Sequence, residues 1–219
     1  MSNAKNLHEL ALSFSNLLKD VRKTVNIQIA SDDFMNLKQA RYILCFAKKV
    51  GDNDYNVVWQ SYLDYLLYNN FSWTPQYALF GSTTFQDNYQ VRIATNTVNI
   101  GLGETSTLSA DGVLGSSEPG GPTTGFTMDN QYGSIHPGVN QLSTGITGEV
   151  ISTPIYVTEA PMVKGSIVLT PVEKVLVWFE ENIETSTMFS TPRSMEVEID
   201  LTFQNTASRK FENQQWKTI

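Results

Sequence analysis

Glycine and proline divide this chain into two unlike parts. All 14 glycines lie at or after Gly51, and all eight prolines at or after Pro75. Helix breakers are therefore absent from the first fifty positions and punctuate most of the remaining chain. Charge divides near the same place. Residues 1–70 carry eight Lys and Arg against seven Asp and Glu, whereas residues 71–219 carry seven against 15.

The breaker-free part is expected to be helical. Leu7, Leu10, Ala11, Phe14, Leu17, Leu18 and Val21 share one face of a helix from about residue 4 to 23. A second helix fits Ser31 to Val50, with Ser31 or Asp32 as N-cap, Lys48 and Lys49 in the last turn and Gly51 as the stop. A third fits Asp54 to Tyr68, with Val58, Trp59, Tyr62, Leu63 and Leu66 on one side. Between the first two, Val25 to Ile29 alternates and could join a sheet.

The punctuated part is expected to be strands. Runs rich in β-branched and aromatic residues cover 77–85, 89–100, 125–128, 150–157, 163–169, 172–179, 185–189, 195–203 and 208–216. In the clearest, Met195, Val197, Ile199, Leu201 and Phe203 alternate with Glu196, Glu198, Asp200 and Thr202, giving one apolar face and one acidic face. Gly112 to Gly148 is dense in glycine and proline and is expected to be a long, functional loop region.

The fold class this implies is α+β. About three N-terminal helices (1–70) pack on an antiparallel β-sandwich or flattened β-barrel (71–219), and the two parts fold as one unit. A chain of 219 residues, 41% hydrophobic, can build one sizeable core, and no apolar run reaches the length a membrane helix needs. The opening residues lack the unbroken apolar core of a signal peptide, and Cys45 is the sole cysteine, so a cytoplasmic protein is expected, whose release would need a leaderless route or cell breakage. A net charge of −7 with thinly spread cations argues against a nucleic-acid partner.

Catalytic chemistry finds little footing. His136 lies in a loop with Ser134 and near Asp129, but Ser134 is not on a nucleophile elbow. Two histidines and one apolar-flanked cysteine do not make a zinc site. No cofactor is expected, although Glu196, Glu198 and Asp200, with Glu180, Glu181 and Glu184, could collect oxygen ligands for calcium if their strands pair. Ile100-Gly101-Leu102-Gly103 imitates a dinucleotide loop but lacks the succeeding helix.

Aromatic rings among amides and hydroxyls suit sugar binding, because apolar sugar faces stack while hydroxyls need planar donors and acceptors. The candidate ligand-binding residues are Trp73, Tyr77, Asp129, Asn130, Tyr132 and His136. The expected function is a non-enzymatic recognition protein of lectin or defence type that binds glycans or lipid headgroups through loops of the β core, with homo-oligomers as a route to avidity. The alternatives are a pore-forming cytolysin acting at a membrane surface, motivated by the Thr- and Ser-rich run from Tyr89 to Ser109, and a structural or storage protein.

The stretches NFSWTPQYALFGS and LTPVEKVLVWFEENIETSTMFS are similar to parts of uncharacterised small fungal proteins, and the layout resembles fungal cytosolic lectins and β-type cytolysins. The resemblance covers organisation only and assigns a role to no residue.

Overall fold

Val25, Ile27 and Ile29 are buried while their neighbours are half-exposed, and this alternation sets β1 (Lys23–Ile29) at the centre of a sheet. It pairs antiparallel with β4 (Tyr68–Ser82) and parallel with β14 (Thr206–Glu212). The computed structural model describes residues 21–219, so most of the first expected helix lies outside the described residues. The sheet continues through β9 (His136–Thr144) and β10 (Val150–Val157) on one side and β15 (Gln215–Thr218) on the other, while β5 (Val98–Ile100) also pairs with β4.

A four-stranded sheet covers part of one face of this seven-stranded one, in the order β13 (Val197–Asp200), β12 (Pro171–Glu180), β2 (Ile43–Val50) and β3 (Gln60–Tyr62). A second four-stranded sheet has the order β11 (Gly165–Leu169), β8 (Phe126–Asn130), β6 (Glu104–Leu108) and β7 (Glu118–Pro119). The core between the two larger layers is aromatic. Phe46 of β2 stacks on Phe71 of β4 with centroids 4.3 Å apart, and Phe179 of β12 lies 5.0 Å from Phe211 of β14 and 5.6 Å from Trp216 of β15.

Among the described residues the fold is thus sandwich-like and mostly β, with 52% strand and one helix, which corrects the α+β expectation of about three N-terminal helices. Two strand pairs, β1 with β14 and β6 with β8, are parallel, so the sheets are mixed and not purely antiparallel. The boundary expected at residue 70 falls inside β4, and strands from either side of it interleave in both larger sheets.

The second expected helix stops after nine residues as α1 (Ser31–Gln39), with Asp32 and Asp33 in its first turn. Arg41 takes a left-handed φ of 59°, the Arg41 N–H donates to Lys38 O, and the Tyr42 N–H donates to Leu37 O. This is a Schellman stop built on arginine where glycine is usual. Immediately after it, Ile43-Leu44-Cys45-Phe46-Ala47 is a strand buried on both faces. Leu44 and Phe46 enter the intersheet core, while Cys45 and Ala47 pack with Val58, Leu176, Trp178, Ile183 and Phe189. A strand covered on both sides shows no alternation of polarity, so its pattern cannot be told from that of a buried helix.

The third expected helix is absent for a related reason. Val57, Val58 and Trp59 are fully buried, yet each belongs to a different apolar cluster, an arrangement no single helix face provides. Extended backbone delivers all three, bridging Val57 to Met188 before β3 begins.

The expected loop region 112–148 contains β8 and all of β9, a central strand between β4 and β10. Of the expected strands, 89–100 reduces to β5 with isolated bridges, and 185–189 forms bridges only. The run 208–216 is a hairpin whose two loop residues, Asn213 and Gln214, both have positive φ. None of the described helices is long and apolar enough to cross a membrane.

Candidate functional site

Between Trp73 and Tyr77, β4 carries Thr74, Pro75 and Gln76 where β9 carries only Leu142. Proline has no N–H to give the ladder, so the chain bulges there. The Gln141 side chain, fully buried, donates from Nε2 to Thr74 O at 3.0 Å and secures the bulge from within. The bulge leaves Gln76 exposed at an open cleft of about 440 Å³, lined also by Ala78 of β4, Asn99 and Ile100 of β5, Leu142 of β9 and Ser152 of β10.

Glu104 of β6 in the smaller sheet and Ser117, in the loop just before β7, also line the cleft. Glu104 Oε2 accepts the Gly101 N–H at 2.7 Å, which holds its carboxylate at the turn ahead of β6. Asn140 stands directly opposite Ala78 in the ladder, and paired residues point to the same side of a sheet. It is 7% exposed, and among the described residues its Oδ1 has no hydrogen-bond partner. The cleft therefore offers amides, hydroxyls and one carboxylate around small apolar surfaces.

The six sequence-derived candidates do not form one cluster. Trp73 is 2% exposed, its ring packed against Trp59 at 5.5 Å, and its Nε1 donates to Glu173 Oε2 at 2.8 Å. Tyr77 contributes to the lining of the cleft, but its ring is buried against Phe126, 5.6 Å between centroids. Burial, with the charge of Glu173 nearby, raises the Tyr77 phenol well above its ordinary pKa.

Asn130 shapes its own loop. Its Oδ1 accepts the Tyr132 N–H at 3.0 Å, and its Nδ2 donates to Gly133 O and Val163 O. Tyr132 is half-exposed beside it, and Asp129 accepts from Ser166 Oγ at 2.9 Å and Gln131 Nε2 at 3.3 Å. His136 is buried, with Nδ1 2.7 Å from Thr158 O; a carbonyl only accepts, so Nδ1 carries the proton. No hydrogen bond joins His136 to Ser134 or Asp129 among the described residues.

Two carboxylates of the acidic face, Glu198 and Asp200, are paired with cations, while Glu196 has no ion pair among the described residues. Glu198 faces Lys174 at 3.3 Å and Lys49 at 3.9 Å, and Asp200 faces Lys174 at 3.4 Å. Among the described residues no group of three or more His, Cys, Asp or Glu side chains is arranged to hold a metal ion.

Gln76, Asn99, Ser117 and Ser152 were not singled out by the sequence. Only Gln76 carried a signal, the proline beside it in a strand-like run; the others are polar residues whose convergence depends on pairing across four strands and the loop before β7. Comparison of the chain with protein-family models, with curated proteins and with solved structures finds no match.

Proposed function

We propose that the protein is a non-enzymatic recognition protein that binds a neutral polyhydroxyl ligand, a glycan, in the cleft between β4, β5, β9 and β10 and the smaller sheet. The observation that carries this reading is the lining itself. Gln76, Asn99, Ser117 and Ser152 supply planar and hydroxyl hydrogen-bonding groups, Ala78, Ile100 and Leu142 supply apolar surface, and Glu104 is the single charged side chain. A sugar presents the same mixture, hydroxyls around C–H faces, and its lack of charge matches a site with one carboxylate already engaged.

The test is a glycan array probed with the labelled protein at physiological salt, with and without calcium, alongside a Gln76→Ala/Asn99→Ala variant. A specific hit that the variant loses supports the reading. A hit that the variant retains removes the cleft from it, and a blank array with leakage from liposomes overturns it in favour of membrane action.

A further inference from the structure

The outer face of the β13-β12-β2-β3 sheet holds a second cleft, of about 340 Å³, whose chemistry differs from the first. Leu176 of β12 and Phe189, both nearly fully buried, provide apolar surface, and half-buried Tyr55 adds an aromatic face. Of the charged side chains lining it, Lys49 is the one cation, against the carboxylates of Asp54, Glu196 and Glu198. Lys49 lies 3.9 Å from Glu198, so it offsets at most one of the three.

Glu198 is further engaged by the Tyr55 hydroxyl at 3.0 Å and by Lys174. Burial, then the charge of Glu198, raises the Tyr55 phenol, which keeps it a hydrogen-bond donor. Glu196 accepts one backbone N–H, from Arg193 at 3.0 Å, and Asp54 has no ion pair among the described residues. Two carboxylates are thus left with negative charge beside aromatic and apolar surface.

Cations of the chain itself lie against these rings. Lys49 Nζ sits 5.4 Å from the centroid of Tyr55, and the Arg193 guanidinium carbon 4.4 Å from that of Phe189. A ring face adjoining carboxylates attracts ammonium groups through both its quadrupole and their charge.

We propose that this cleft binds a small organic cation, an amine or quaternary ammonium with an apolar body, its charge held by Glu196 and Asp54 beside Tyr55 and its body resting on Leu176 and Phe189. The site is separate from the proposed glycan cleft, so either can fail without the other.

The probe is benzylamine, protonated at neutral pH, titrated into the full chain and followed by amide resonances, with benzyl alcohol as the neutral counterpart and sodium chloride matching the ionic strength. Benzylamine is expected to shift the amides of Tyr55, Leu176 and Phe189 saturably in the millimolar range, and Glu196→Gln to weaken it about fivefold. Glu196 is exposed, so that variant retains the fold, which its unperturbed spectrum elsewhere verifies. Equal shifts with benzyl alcohol, equal affinity in both Glu196→Gln and Asp54→Asn, or no saturable shift each overturn the proposal.

Discussion

Lys48 and Glu173 form an ion pair of 2.8 Å, with the lysine side chain fully buried and the glutamate 24% exposed. Lys48 belongs to β2 and Glu173 to β12, and the same carboxylate oxygen accepts Nε1 of Trp73 from β4, so the pair also bridges the two larger sheets. The Lys48 ammonium lies 4.9 Å from the centroid of the Trp73 ring.

Removing one partner leaves the other charge buried and uncompensated. Glu173→Gln is expected to cost about 3 kcal/mol in urea unfolding, whereas Lys48→Met/Glu173→Leu recovers most of that loss. A single mutant as stable as the wild type would show that the pair is dispensable.

The same pair sets a pH dependence. Burial pushes the Glu173 carboxyl upward, but the charge of Lys48 and hydrogen bonds from Lys48 and Trp73 outweigh it and hold the group below its ordinary 4.5. A depressed carboxyl contributes stability that is complete above the unfolded value and lost as pH falls through the folded one. Urea midpoints should therefore fall below pH 4.5, and Glu173→Gln should flatten that part of the acid limb. Lys48 acts in the same sense at alkaline pH, since burial lowers it from 10.5 despite Glu173, so its contribution rises with pH up to that value.

The left-handed stop of α1 can be tested at one residue. Arg41 is exposed at φ 59°, where glycine carries no Cβ strain and a β-branched residue carries the most. Arg41→Gly is expected to stabilise by roughly 0.5 kcal/mol and Arg41→Val to destabilise by about 1–2 kcal/mol, measured as shifts in thermal or urea midpoint. The reverse order would contradict the Schellman assignment.

The Phe46 and Phe71 stack joins the sheets, and both rings are fully buried. Phe46→Ala should cost about 3–5 kcal/mol. Because strands from either side of residue 70 interleave, tryptophan fluorescence and circular dichroism are expected to report one coincident transition. A 71–219 fragment that folds and melts like the whole chain would refute this.

Gly121 tests the architecture of the proposed glycan cleft. A Cβ there would run into the backbone carbonyl of Glu104, and the Gly121 N–H donates to Gly103 O at 2.9 Å. Gly121→Ala is expected to part β7 from β6, displace Ser117 and Glu104, and lower affinity for any glycan the array identifies by about tenfold, equivalent to about 1.4 kcal/mol. Unchanged affinity would place the ligand elsewhere.

Local chemistry was legible wherever a side chain's neighbours in sequence set its environment. The alternation of Val25, Ile27 and Ile29 marked β1 and the run from Val150 to Val157 matched β10, whereas the helix expected to be capped by Ser31 or Asp32 has its N-cap at Ala30, with no side-chain capping hydrogen bond. Of the strand expected over 195–203 only Val197–Asp200 forms: Ile199 within it and Leu201 just beyond it are buried and Glu198 and Asp200 point outward, but the chain turns after Leu201 and leaves Phe203 fully exposed instead of on the apolar face. Burial on two faces, by contrast, is a property of layers. Ile43 to Ala47 is covered by the large sheet on one side and by residues from 58, 176–178 and 183–189 on the other, so its apolar run was compatible with helix or strand until those neighbours were in place. Turns hid for a similar reason, because Arg41, Asn213 and Gln214 adopt left-handed backbone that their identities only weakly signal. Residue order and composition were enough to establish a large aromatic supply, the punctuated β-rich character after residue 70 and the acidic face of β13. It took the packed sheets to enclose Trp73 and leave Gln76 exposed, since the two are three residues apart on one strand, Trp73 in register with Ser143 and Gln76 among the unpaired residues of the Pro75 bulge.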